Sequence, residues 1–133
     1  MAPERIYYDG ACGFCHARVR AVMERDPGGT LFRFAPLSGP TFAARVPAGR
    51  RRALGDTLVV ETADGRLLAR SDAVLHILRR VGRSRAAALL AMLPRPARDL
   101  GYRSFARVRR HFATRPAGAC PAVAPALRER FDP

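Results

Sequence analysis

Tyr7-Tyr8-Asp9-Gly10-Ala11-Cys12-Gly13-Phe14-Cys15 restricts the fold of this chain more than any other stretch. The apolar run before it reads as a strand, and Asp9-Gly10 reads as a tight turn. Residues 13–25 then read as a helix, because Cys15, Val19, Val22 and Met23 fall on one face at helical spacing. Two cysteines therefore straddle the start of a helix that follows a strand. That placement lowers the pKa of a thiol, since the helix dipole and its unpaired N–H groups favour the thiolate.

The later elements follow the same logic. Asp26-Pro27-Gly28-Gly29 stops the first helix. Residues 30–34 alternate around Arg33 and read as a second strand. Residues 38–54, broken by Pro and Arg, hold one or two short helical turns. Residues 57–61 are β-branched and form a third strand. The hairpin signal Ala63-Asp64-Gly65-Arg66 leads into a fourth strand at 67–68. Ser71 reads as the N-cap of the next helix, with Asp72 in its first turn. Val74, Ile77, Leu78 and Val81 supply its apolar stripe, and Arg79, Arg80 and Arg83 its charged face. A βαβ unit, a hairpin and a closing helix fit an α/β fold, a mixed four-stranded sheet flanked by helices.

Beyond residue 83 the chain reads as a helical extension. Residues 85–92 and 97–112 are its helices, and Leu93-Pro94-Arg95-Pro96 separates them. Leu100, Phe105, Val108 and Phe112 take one side of the second helix; Arg103, Arg107 and Arg110 take the other. The Pro-rich tail is read as loop with a last turn near Leu127. The 133 residues are expected to form one domain, with a core at about 4–83 and the extension at about 84–133.

Charge is the compositional oddity. The net charge is +13, and all 24 basic residues are Arg. A complete lack of Lys fits a coding bias better than selection for phosphate contacts. Nucleic acid and a membrane surface are therefore disfavoured as partners, and the Arg side of residues 97–112 is read as a solvated face. Its alternative is a non-enzymatic basic module that contacts anionic lipid, nucleic acid or an acidic protein. No signal-peptide pattern is seen at the N-terminus, and no apolar run nears the ~20 residues of a membrane span. A cytoplasmic chain is expected. In that reducing setting a Cys-x-x-Cys pair is catalytic or metal-binding rather than a structural staple.

The two cysteines are not equivalent. Cys15 shares a face with Val19 and Val22 and should point to the core, whereas Cys12 sits at the exposed cap. Cys12 is assigned as the attacking nucleophile and Cys15 as the resolving thiol. Gly13 leaves room for a substrate, and Phe14 offers it an apolar contact. His16 is an exposed polar residue that could favour the thiolate when protonated. Asp9 is either a proton acceptor or a turn residue. No cofactor is needed. The chemical rival is zinc, held by Cys12 and Cys15 with Cys120 and His16, His76 or His111, although those spacings match no zinc module.

Asp9-Gly10-Ala11-Cys12-Gly13-Phe14-Cys15 resembles the Asp-x-x-Cys-x-x-Cys signature of the DCC family of predicted thiol–disulfide oxidoreductases. Ser71-Asp72-Ala73 is similar to its Ser-Asp-Ala. Leu93-Pro94-Arg95-Pro96 with Arg98, Asp99 and Tyr102 is similar to its Pro-Arg-Pro…Arg-Asp…Tyr segment, and Cys120-Pro121 also looks familial. The resemblance implies a thioredoxin-like fold with a helical C-terminal extension. It implies a protein or small-molecule thiol or disulfide as substrate, and a reducing or oxidising partner. One departure stands out. Thioredoxins place a proline before the third strand, where it docks the substrate backbone. Here that region is Gly55-Asp56-Thr57-Leu58, and Pro47 lies too far upstream. Substrate docking must differ, and Ser71 and Asp72 are supporting candidates for the site, with plain capping as the simpler reading.

Overall fold

A computed structural model describes residues 2–9, 13–55, 57–112 and 125–133. Four strands, β1 (Glu4–Tyr8), β2 (Phe32–Pro36), β3 (Val59–Glu61) and β4 (Leu67–Ala69), form one sheet in the order β2-β1-β3-β4. β1 pairs parallel with β2, with Tyr8 opposite Pro36, and antiparallel with β3, with Tyr7 opposite Val59. β3 and β4 form the expected hairpin. Helix α1 (Gly13–Arg25) has the bounds that its periodicity predicts. Residues 38–54 contain two short helices, α2 (Pro40–Arg45) and α3 (Ala48–Leu54).

The two-residue period of a strand sorts the central side chains into two cores. Ile6 and Tyr8 of β1, Phe32 and Phe34 of β2 and Val60 of β3 pack with Val19 and Met23 of α1. Ala73 and Ile77 of α4 (Arg70–Arg80) join them. Tyr7, Ala35 and Val59 point the other way, onto Phe42 of α2 and Val46. Helices thus cover both faces of the sheet, and the fold is the expected thioredoxin-like α/β arrangement. Tyr7 is fully buried, and its hydroxyl donates to Glu61 at 2.6 Å. Burial and then the Glu61 carboxylate push its pKa up to about 12. Arg45 also bonds Glu61, at 2.6 Å, and holds that carboxyl below the usual range.

Both expected strand starts lie two residues early, for the same kind of reason. Asp26 accepts the backbone N–H groups of Thr30, Leu31 and Phe32 at 3.1, 3.1 and 3.2 Å, so the chain is held in a turn until Phe32. Ahead of β3, the Leu58 N–H is taken by the Tyr102 hydroxyl at 3.0 Å. In each case a side chain replaces the ladder partner that a strand would need.

Three expectations are corrected. Ser71 is not an N-cap: α4 starts at Arg70, Ala69 precedes it, and no side chain caps it. Arg70 itself adopts a left-handed φ of 56°, which turns Ser71 inward, where it is 3% exposed. The α4 stripe is also shifted. Ala73, Leu75 and Ile77 are its buried apolar residues, while Val74 and Leu78 are only half-buried, because α5 (Ser84–Ala91) and α6 (Arg95–Phe112) pack on it as well as the sheet. On α6 the predicted apolar side faces outward. Leu100, Phe105 and Val108 are 67, 47 and 51% exposed. The side chain of Phe112 lies outside the described residues.

The expected last turn near Leu127 is present, but the residues after it return to the sheet instead of trailing as a loop. After a 3-10 helix (Pro125–Arg130), Phe131 forms a parallel bridge with Phe34 and stacks on its ring, centroids 5.3 Å apart. Asp132 bonds Arg5 at 2.7 Å and Arg33 at 2.6 Å. The Arg33 guanidinium, then Arg5, holds Asp132 below the usual carboxylate range.

Candidate active site

The C-terminal end of β1 gathers the start of α1, the start of β3, the end of β4 and the start of α4. Tyr8 ends the strand, Asp9 follows it half-buried, and the chain re-emerges as α1 at Gly13. Cys15 lies in the first turn of that helix. The antiparallel pairing brings the start of β3, and hence Thr57 and Leu58, to the same end. It does the same for the end of β4 and the start of α4, where the Arg70 N–H donates to the Leu58 carbonyl at 3.1 Å. Cys12 lies outside the described residues, as do the side chains of Phe14, Cys15 and His16; of Gly13 only the backbone is described. Cys120 lies outside them too.

The remaining candidates form one polar seam between α4, α6 and the start of β3. Ser71 donates its hydroxyl to the Asp99 carboxylate. That bond, with Arg95 and Arg70 nearby, holds Asp99 below its ordinary pKa. Asp72 is bracketed by Arg95 at 3.1 Å and Arg98 at 3.5 Å. Arg98 also donates to the Leu93 carbonyl at 3.1 Å, across the Pro-Arg-Pro turn. The Tyr102 hydroxyl accepts from Leu58 and lies 3.1 Å from the Thr57 hydroxyl. Residues from motifs 45 positions apart, such as Thr57 and Tyr102, therefore meet at one sheet end. Ser71 and Asp72 tie α6 onto the body through Asp99, Arg95 and Arg98.

That seam has a chemical consequence. The segment ahead of β3 carries no proline, and its Leu58 N–H is already satisfied from within the chain. One backbone donor at this end is thus closed to an incoming peptide.

The zinc alternative gains no ligand here from His76. Its Nε2 is 2.6 Å from Glu4 at the start of β1, the opposite end of that strand from the cysteine segment. Among the described residues, no cluster of three or more His, Cys, Asp or Glu could hold a metal.

Residues 6–115 match the family described as DCC1-like thiol-disulfide oxidoreductase. The chain belongs to that family. The match runs from within β1 through all of α6, so the polar seam lies wholly within the family's extent. Membership makes this a thiol–disulfide oxidoreductase in general terms, with thiols or disulfides as its partners. No curated protein and no solved structure matches the chain.

Sequence reasoning missed three features of the DCC1-like fold as it occurs here: the docking role of Tyr102, the anchoring of residues 130–132, and a cleft beside α3. The first had a signal, since Tyr102 stands in the family's own segment. The anchoring of residues 130–132 depends on partners about a hundred residues away, and the cleft on how Leu37 and Phe42 pack beside α3, so neither leaves a local trace. Among the described residues, no helix is long and apolar enough to cross a membrane.

Proposed function

We propose that the chain reduces disulfides through a Cys12–Cys15 dithiol, with Cys12 as nucleophile and Cys15 as resolving thiol. The observation that carries this reading is the strand–turn–helix unit. β1 hands over to α1 within four residues, and the Cys-x-x-Cys spans that junction in a chain of the DCC1-like family. Thiolate formation is favoured at such a junction by the helix dipole.

The step balances as follows. The Cys12 thiolate attacks one sulfur of the substrate disulfide; that S–S bond breaks, and the first substrate thiolate leaves and takes a proton. Cys15 then gives up its proton and attacks the Cys12 sulfur. The mixed disulfide breaks, the second substrate thiol leaves, and a Cys12–Cys15 disulfide remains. Two electrons pass from the cysteine pair to the substrate. A dithiol reductant restores the pair, so a reducing compartment such as the cytoplasm suits the cycle. Asp9, immediately before the turn, is the proposed proton acceptor for Cys15. Gly13 and Phe14 lie between the two cysteines in the chain, and His16 is the proposed stabiliser of the Cys12 anion when protonated. Occupation of the Leu58 N–H by Tyr102 favours small disulfides over extended peptides.

Alkylation of the reduced protein against pH tests the assignment. Cys12 reacts with an apparent pKa well under the about 8.5 of a free thiol, and Cys15 does not. Two cysteines that both titrate as free thiols, or two protected by stoichiometric zinc, would overturn it.

A further inference from the structure

Two guanidinium groups whose side chains have no partner among the described residues stand at this same sheet end. Leu37 directly follows β2, and its N–H donates to the Tyr8 carbonyl at 2.8 Å. An open cleft of about 420 Å³ lies there, lined by Leu37, Phe42, Ala48, Arg51, Arg52 and Gly55. Tyr8 ends β1, so the cleft lies at the end of that strand from which the chain continues toward the cysteine segment. α3 has no acidic residue in its first turn and carries Arg50, Arg51 and Arg52 in succession.

Arg51 is the unusual one. It is half-buried, and its Nε is buried with no acceptor. Among the described residues, the side chains of Arg51 and Arg52 have no hydrogen bond or ion pair; the Arg51 backbone is bonded within its helix. The buried Arg130 shares an Nε of this kind, but its two terminal nitrogens donate to Asp26, one to the backbone carbonyl at 2.9 Å and one to the carboxylate at 2.8 Å. A buried N–H without an acceptor is costly, and a ligand oxygen recovers that cost. A guanidinium prefers a planar carboxylate, which it grips with two N–H groups. Leu37 and the buried Phe42 supply an apolar wall beside it.

We infer that this cleft is a subsite for the carboxylate of a small acidic thiol or its disulfide. Arg51 and Arg52 hold the carboxylate, and the carbon chain lies over Leu37 and Phe42. The subsite gives its meaning to the redox reading above and rests on it.

Two measurements separate the subsite from the chemistry. (Methylthio)acetate carries the carboxylate but cannot exchange. Titrated at low salt, it binds the wild-type chain, and methylthioacetamide does not. Arg51→Gln and the more exposed Arg52→Gln each weaken that binding by about five- to tenfold, whereas Arg103→Gln on α6 leaves it unchanged. In turnover, Arg51→Gln raises the KM for dithiodiglycolate by a similar factor and leaves that for neutral dithiodiglycolamide alone. Equal loss on both disulfides, or no preference of the wild type for the carboxylate, overturns the subsite. Equal affinity for inorganic phosphate overturns its assignment to carboxylates. Carboxylate binding by a protein that turns over neither disulfide keeps the subsite and discards the redox reading. Turnover of both disulfides with an unchanged ratio in Arg51→Gln does the reverse.

Discussion

Cys12→Ser leaves no disulfide reduction above the uncatalysed rate, because a hydroxyl at that position supplies no thiolate at neutral pH. Cys15→Ser behaves differently. Its Cys12 still attacks, but nothing resolves the adduct, so one equivalent of mixed disulfide accumulates and turnover stops. The asymmetry is the informative part. A pair of equivalent thiols would trap substrate in either single variant, and a zinc pair would trap in neither. Cys120→Ser retains turnover, since a Pro-flanked thiol far along the chain has no assigned step. Intact-mass analysis of each variant after incubation with a small disulfide reads all three outcomes. Trapping through Cys15 in the Cys12 variant would reverse the assigned roles.

Asp26→Ala destabilises the fold by about 3–5 kcal/mol, the range for removing one partner of a buried ion pair. Its carboxylate is 3% exposed and accepts three backbone N–H groups at the start of β2. It also pairs with Arg130, itself buried and stacked 5.5 Å over the Phe34 ring. Losing the carboxylate strands the Arg130 charge and frees the turn that delays β2. The melting temperature falls by roughly 10–20 °C as a result. Arg130→Met costs less, because Asp26 keeps its three backbone donors. Thermal unfolding followed by circular dichroism measures both. A drop of only a few degrees for Asp26→Ala would mean that the last nine residues do not anchor the sheet.

The legible part of the chain was the part governed by local rules. The periodicity of Val19, Val22 and Met23 marks α1 to the residue, and Asp64-Gly65 marks the β3–β4 hairpin. Ser71 misleads because a serine beside an apolar periodic run looks like a cap. Asp99, 28 residues on, takes its hydroxyl instead, and the backbone at Arg70 turns to allow it. Leu100 and Val108 mislead in the opposite sense. Their spacing reads as a packed face, yet α6 is held by Asp99, Arg98 and Tyr102 through polar contacts, and Leu100 and Val108 stay exposed. Of the candidate site, the strand-to-helix junction and the family's Ser-Asp and Arg-Asp-Tyr residues were visible in sequence. Their convergence was not, because it depends on β1, β3 and β4 sharing one end. Arg51 was hidden for a simpler reason: in a chain with 24 basic residues, all Arg, an orphaned guanidinium looks like every other one until its surroundings are known.

The central claim is that Cys12 and Cys15 interconvert between dithiol and disulfide. Peptide mapping across a series of dithiol/disulfide redox buffers, with free thiols blocked at each point, tests it most directly. The account predicts a single two-electron transition in which a Cys12–Cys15 linkage appears on oxidation and disappears on reduction, with Cys120 unlinked throughout. Persistent free thiols at both positions under oxidising buffer, or oxidation only to Cys120-linked products, would contradict it.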